Sequence, residues 1–174
     1  VYGMTETSPI LTMNPFRGGW LILFTLLCAM VLAILHLPET WPDWLGWLRP
    51  AWVALVLFYW VMELPDRVGL VAAWMTGLAV DVLQADPLGL NGALLAAITW
   101  FGWRFYERLR MYTWLQQGAV IAMLLIGTGT VHMVVLALID GRGVGWHVLA
   151  SPLMSFFAWP MVLLALHALR RRIP

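Results

Sequence analysis

The stretch Gly69–Gly92, GLVAAWMTGLAVDVLQADPLGLNG, decides how this chain folds. Small or acidic side chains recur every four positions in its first part, at Gly69, Ala73, Gly77 and Asp81. This spacing places them on one helix face, and a face of small side chains lets two helices approach closely. The second part, residues 86–92, predicts a turn into the next helix, capped by Asp86 or Asn91.

Asp81 is the clearest ionisable residue inside an apolar stretch. A carboxylate within a membrane helix is costly unless it faces protein or water. Three interpretations stay open: Asp81 caps or cross-links packed helices, it contacts a partner protein, or it handles an ion or a proton.

The composition around this stretch is that of an integral membrane protein. Hydrophobic residues make up 62% of the 174 residues and charged residues 11%, whereas charged residues make up about a quarter of soluble proteins. A spanning helix needs about 20 mainly apolar residues. Six stretches qualify as candidates: Trp20–Leu37, Ala51–Leu64, Val68–Gln84, Leu88–Phe105, Trp114–Ile139 and Val148–Leu169.

The predicted fold is therefore an all-α integral membrane protein with six transmembrane helices, formed by residues 20–172 as a single domain. The second stretch is the shortest, because Pro50 and Pro65 bracket only fourteen residues. Residues 1–19 are expected to form a flexible tail. Within it we expect Val1–Gly3 to be foreign to the natural chain, with Met4 and Met13 as alternative starts.

The basic residues orient the protein. All ten are arginines, and eight lie on one side of the six stretches: Arg17, Arg67, Arg104, Arg108, Arg110, Arg170, Arg171 and Arg172. The positive-inside rule places that side, with both termini, in the cytoplasm. If the second stretch did not cross, the count would again be eight against two with the N-terminus outside. Crossing is favoured because Glu63 is the only charge in that stretch.

Aromatic and histidine side chains gather at the predicted outer ends. The tryptophans there are Trp41, Trp44, Trp47 and Trp52. They are typical of an aromatic belt at the headgroup level, with a ligand-stacking box as the alternative. The histidines on this side are His36, His132 and His147. Their separation lacks metal-ligand spacing, so we expect no metal site and no cofactor.

Catalytic signatures are missing from the sequence. It contains no phosphate-binding glycine loop, no H-E-x-x-H, no G-x-S-x-G and no carboxylate pair suited to acid and base chemistry. The arginines are too dispersed to bind nucleic acid, although Arg104–Arg110 is basic enough to contact anionic lipid. An enzyme is not expected.

An ordered set of motifs resembles the MreD family of rod-shape-determining proteins from Gram-negative bacteria. The similar segments are Arg49–Trp52, Tyr59–Trp60, Leu64–Val68, Gly77–Leu83, Pro87–Gly89, Trp114–Gln117 and Trp159–Pro160. The likeness covers about Trp20 to Arg172. The positions that match the family's motifs are Arg49, Pro50, Pro65, Arg67, Gly77, Asp81, Pro87 and Gly89.

The resemblance implies a function and partners. MreD proteins resemble the substrate-capture subunits of energy-coupling-factor transporters, and they are understood as scaffolds of the elongasome, which builds lateral-wall peptidoglycan. The implied partners are MreC first, then RodA, a class B penicillin-binding transpeptidase and MreB. A single-span partner such as MreC would pack against a small-residue face, first the Gly69–Asp81 face, or span 5 or 6 if that face is buried.

Two other function classes remain as alternatives. The first is a small-molecule or lipid-binding protein with a capture-like outer pocket, for which the candidate lining residues are Trp41, His36, Asp81 and His132. The second is an ion or proton channel, which would be expected to need more than one acid along its pathway.

Overall fold

The structure, a computed structural model, describes residues 15–34, 49–140 and 149–171. All regular secondary structure in these ranges is helical. The helices are α1 (Pro15–Ile34), α2 (Trp52–Glu63), α3 (Leu70–Gln84), α4 (Leu90–Met111), α5 (Trp114–Asp140) and α6 (Ala150–Arg171). Each predicted apolar stretch coincides with one helix, so the all-helical prediction is confirmed for the described residues.

Two helix boundaries differ from those predicted. Helix α1 begins at Pro15, so residues 15–19 of the expected tail are helical. Helix α4 continues to Met111, beyond the predicted end at Phe105, so Arg104–Arg110 lies on this helix. Hydropathy marks where the apolar residues end, whereas arginine and glutamate remain good helix formers and no glycine or proline follows Phe105 in this helix.

Helix α2 forms the centre of the bundle. Every residue from Val53 to Met62 is buried, and the helix packs against α1, α4 and α6. A helix that is apolar on all sides must be covered on all sides. Its Trp60 indole Nε1 donates a hydrogen bond of 2.8 Å to the Thr25 hydroxyl of α1, so the ring's polar atom is satisfied inside the core.

The other five helices expose large apolar side chains, among them Trp20, Val71, Trp100, Leu138 and Leu164. Such extensive exposed apolar surface is typical of contact with lipid. By length and composition, two helical segments could cross a membrane, Trp114–Ile139 and Ala150–Arg171. The apolar segments of α1, α2 and α3 are shorter, at 10–17 residues.

Successive helices alternate in direction. The last residues of α2, α4 and α6 meet where the Glu63 carboxylate contacts Arg110 and Arg170, and we call this the Glu63 end of the bundle. At the opposite end, Asp86 contacts His132 in the second half of α5. Asp86 lies in the turn between α3 and α4. We call this the Asp86 end.

Candidate functional site

Helices α3 and α4 make the closest helix contact that the structure shows. A Cβ atom added to Gly77 would lie 2.4 Å from the Gly92 Cα atom and 2.5 Å from the Gly92 nitrogen. Both distances are far below van der Waals contact, so the two backbones touch at this point. Ala73 is also completely buried, whereas Gly69 is exposed with open space around it. The small-residue face is therefore used for packing within the chain along most of its length.

The Asp81 carboxylate closes the turn between these helices. Its side chain is completely buried. The backbone N–H of Gly89 donates to Oδ2 at 2.8 Å, and that of Asn91 donates to Oδ1 at 2.9 Å. Gly89 and Asn91 stand at the start of α4, where free N–H groups and the helix dipole favour an anion. Asp81 thus acts as a cap for a helix that is not its own.

The turn itself depends on two left-handed residues. Gly89 has a φ of +92° and a ψ of −9°, the conformation that the third residue of a type II turn requires, and the Leu90 N–H donates to the Pro87 carbonyl at 3.1 Å. This gives the predicted motif residues Pro87 and Gly89 a structural role. Ala85 ends α3 with a φ of +55°, which is unfavourable for a residue with a Cβ atom.

Asp86 links this turn to α5. Its Oδ2 atom accepts a hydrogen bond of 3.0 Å from the Asn91 side chain and lies 3.2 Å from His132 Nε2. The sequence suggested Asp86 or Asn91 as caps, but the helix cap is made by Asp81, and Asp86 and Asn91 instead hold each other. The pairing of Asp86 with His132 was not predicted.

The start of α2 is fixed by α6. Ser155 is completely buried, and its hydroxyl accepts a 2.9 Å hydrogen bond from the Ala51 N–H, directly after the motif residues Arg49 and Pro50. The same hydroxyl donates to the Ser151 carbonyl at 2.8 Å. The sequence around Ser155 did not predict that its side chain would bind the start of another helix.

The Glu63 end holds the other predicted motif residues. Pro65 is the second residue of a turn that the Arg67 N–H closes on the Leu64 carbonyl at 3.0 Å. Arg67 itself is exposed. Glu63 ends α2, where a carboxylate opposes the helix dipole, and Arg170 pairs with it while Arg110 lies 3.7 Å away. The sequence placed these charges on one side of the membrane but did not predict that they meet.

Polar side chains also fix the short connection between α4 and α5. The Thr113 N–H donates to the Gln116 side-chain oxygen at 3.0 Å, which is one of the two hydrogen bonds of a capping box. The Gln117 side chain donates to the Leu109 carbonyl at 2.9 Å. The stretch Trp114–Gln117, one of the segments that resemble the MreD family, therefore caps the start of α5 and binds a carbonyl at the end of α4.

A cavity of about 460 Å³ lies at the Asp86 end. Residues of all six helices line it, together with residues 49–51 just before α2. His132 is one of the lining residues, as the ligand-binding alternative required. Asp81 is not, because it is buried between α3 and α4. The prediction that Asp81 lines the outer pocket is therefore wrong.

The predictions for His36, Trp41 and His147 lie outside the described residues. Within the described residues, no three histidine, cysteine or acidic side chains could together hold a metal ion.

Comparisons with known proteins agree with the motifs. The family model of the rod shape-determining protein MreD matches residues 15–169. A curated relative, the rod shape-determining protein MreD of Haemophilus influenzae, is 28% identical over 151 residues, which cover 86% of this chain and 93% of that protein. No solved structure matches the chain. Because the family model matches most of its length, this chain belongs to the membrane-associated MreD family of rod shape-determining proteins.

Proposed function

We propose that this chain is a non-enzymatic scaffold subunit of the elongasome, which supports lateral-wall peptidoglycan synthesis and rod cell shape. In this proposal it crosses the bacterial inner membrane six times and binds MreC, in a complex that also contains RodA, a class B penicillin-binding transpeptidase and MreB. Membership of a family of rod shape-determining proteins supports the cellular role.

The observation that carries the scaffold proposal is the use of charged side chains at both ends of the bundle. Asp81 caps α4, Asp86 contacts α5 through His132, and Glu63 pairs with Arg170 of α6. Each of these acids joins one helix to another. They stabilise a fixed frame whose outer surface is apolar, which is what a subunit needs if it acts by holding other membrane proteins.

The arginines support the proposed orientation. At the Glu63 end lie Arg67, Arg108, Arg110, Arg170 and Arg171, whereas Arg49 stands at the opposite end. The positive-inside rule assigns the Glu63 end to the cytoplasm. The alternating helix directions are also those of a chain that crosses the membrane repeatedly.

The surface proposed for MreC lies on α5. The Gly69–Asp81 face is unavailable for most of its length because α4 covers Ala73, Gly77 and Asp81. On α5, Gly127 is exposed with no atom within 4 Å of an added Cβ, and the neighbouring Thr130 is exposed as well. An open glycine on a lipid-facing helix allows close approach of a partner helix.

Affinity purification from native membranes in mild detergent, followed by mass spectrometry, tests the proposal. We expect MreC to be recovered with the elongation synthase. Gly127→Leu should reduce the recovered MreC without lowering the melting temperature of the purified protein. Gly19→Leu, at another glycine with open space, is the matched control and should leave MreC recovery unchanged. Recovery of the wild-type chain alone, or with an ATPase module, would contradict the scaffold role.

A further inference from the structure

The cavity at the Asp86 end has the size and lining of a ligand site. Its volume of about 460 Å³ lies within the range found for pockets that hold small molecules. Much of its wall is apolar and is formed by Leu94, Leu95, Ile98, Leu125 and Met133. Such a wall favours a hydrocarbon chain, because each methylene group transferred to it from water raises affinity about fourfold.

Arg49 supplies a guanidinium group to this cavity. His132 lines it as well, and the lining residues within the described ranges include no aspartate or glutamate. His132 already contacts Asp86. By contrast, no carboxylate within the described ranges lies at ion-pair distance from Arg49. A half-buried guanidinium beside an apolar wall is stabilised by an anion, and its planar donors suit a phosphate or a carboxylate.

Several backbone N–H groups at the starts of α2 and α4 already have acceptors. The Ala51 N–H at the start of α2 is bound by Ser155, and the first N–H groups of α4 are bound by Asp81. Thr128 also lines the cavity, but its hydroxyl donates to the Leu124 carbonyl of its own helix. Arg49 is the lining residue whose guanidinium donors suit an anion.

We propose that this cavity binds an anionic lipid, with the headgroup phosphate on Arg49 and part of one chain along the apolar wall. A soluble phosphate would use Arg49 but leave the apolar wall empty, whereas a neutral lipid would use the wall but not the guanidinium. This binding site goes beyond the scaffold role and does not depend on MreC or on any other partner.

Native mass spectrometry of the full chain in detergent tests this assignment. The probes are phosphatidylglycerol, diacylglycerol with the same chains, and sn-glycerol 3-phosphate. We expect phosphatidylglycerol to bind most tightly. Arg49→Gln should weaken its binding at least about tenfold, the loss expected for a hydrogen bond to a charged group. Arg171→Gln, at an exposed arginine of the opposite end and outside the Arg104–Arg110 segment, is the matched control and should bind phosphatidylglycerol as the wild type does.

A second variant tests the wall independently of charge. Met133→Trp places a larger ring at a half-buried lining position and should weaken binding of both phosphatidylglycerol and diacylglycerol. Thermal unfolding of each variant without added lipid is monitored by tryptophan fluorescence. A cooperative transition confirms that the variant is folded before its lipid binding is compared.

Three results would overturn the proposal. Equal losses for Arg49→Gln and Arg171→Gln would show that binding follows total charge and not this site. Diacylglycerol binding as tightly as phosphatidylglycerol would remove the role of the anion. Binding of sn-glycerol 3-phosphate as tight as that of phosphatidylglycerol would assign the cavity to a soluble anion and not to a lipid.

Discussion

Replacing Asp81 by asparagine should destabilise the protein although it preserves the side-chain volume. Both carboxylate oxygens accept hydrogen bonds from backbone N–H groups, one from Gly89 and one from Asn91. Asparagine has only one carbonyl oxygen, so its NH₂ group must face one of these two donors. The variant therefore leaves one buried N–H without an acceptor.

The size of the effect follows from these two hydrogen bonds. The bond that is kept loses its charged acceptor, at a cost of about 1 kcal/mol, and the unsatisfied donor costs about 1–3 kcal/mol more. The expected loss is about 2–4 kcal/mol of unfolding free energy. For a chain of this length, each kcal/mol lowers the melting temperature by about 2–4 °C, so we expect a fall of about 4–16 °C.

The assay is thermal unfolding of purified protein in detergent, followed by the fluorescence of buried tryptophans such as Trp60 and Trp159. Asp66→Asn is the matched control, because Asp66 is exposed on the turn after α2. A melting temperature for Asp81→Asn within one or two degrees (about the error of the assay) of the Asp66→Asn value would refute the capping role.

Three further variants follow from the structure, each measured by the same melting assay. Gly77→Ala should lower the melting temperature strongly, because the new Cβ would meet the α4 backbone at 2.4 Å, whereas Gly127→Ala, inside α5, has open space and should not lower it; equal shifts would contradict the close contact. Ala85→Gly should stabilise the protein by about 1 kcal/mol, since glycine adopts the left-handed conformation without strain; a lower melting temperature would disprove this. Ser155→Ala should cost about 1–3 kcal/mol by leaving the Ala51 N–H unpaired, and an unchanged stability would show that this hydrogen bond is dispensable.

The helices and the α3–α4 pair were predictable because their signals are local. A repeat of small residues every four positions marks a helix face, and Gly77 does lie against the neighbouring backbone. The turn after α3 was visible for the same reason, since proline and glycine are common in turns and Gly89 takes the left-handed conformation that this turn requires.

The role of Asp81 could not be chosen from the sequence. The groups that bind its carboxylate are main-chain N–H groups, which almost every residue carries, so they leave no trace in residue type. Three interpretations therefore stayed open until the position of the α4 N-terminus was known. A partner-binding role for the exposed Gly69 stays a prediction.

Contacts between distant parts of the chain were also hidden. Asp86 and His132 are 46 residues apart, and Ser155 lies 104 residues from Ala51. Nothing in either local sequence selects the other, because such pairs depend on which helices become neighbours. The cavity beside them was hidden for the same reason, since residues from all six helices together form its wall.

The complete burial of α2 has a consequence for how the protein is made. This helix has twelve residues, about 18 Å of length, and its central ten residues are all buried within the bundle. Two residues that cover and fix it, Ser155 and Trp159, belong to α6, which is synthesised later than α2. Helix α2 therefore reaches its final surroundings only after α6 has been synthesised. A chain truncated before α6 should leave part of α2 uncovered and be recognised by quality-control proteases.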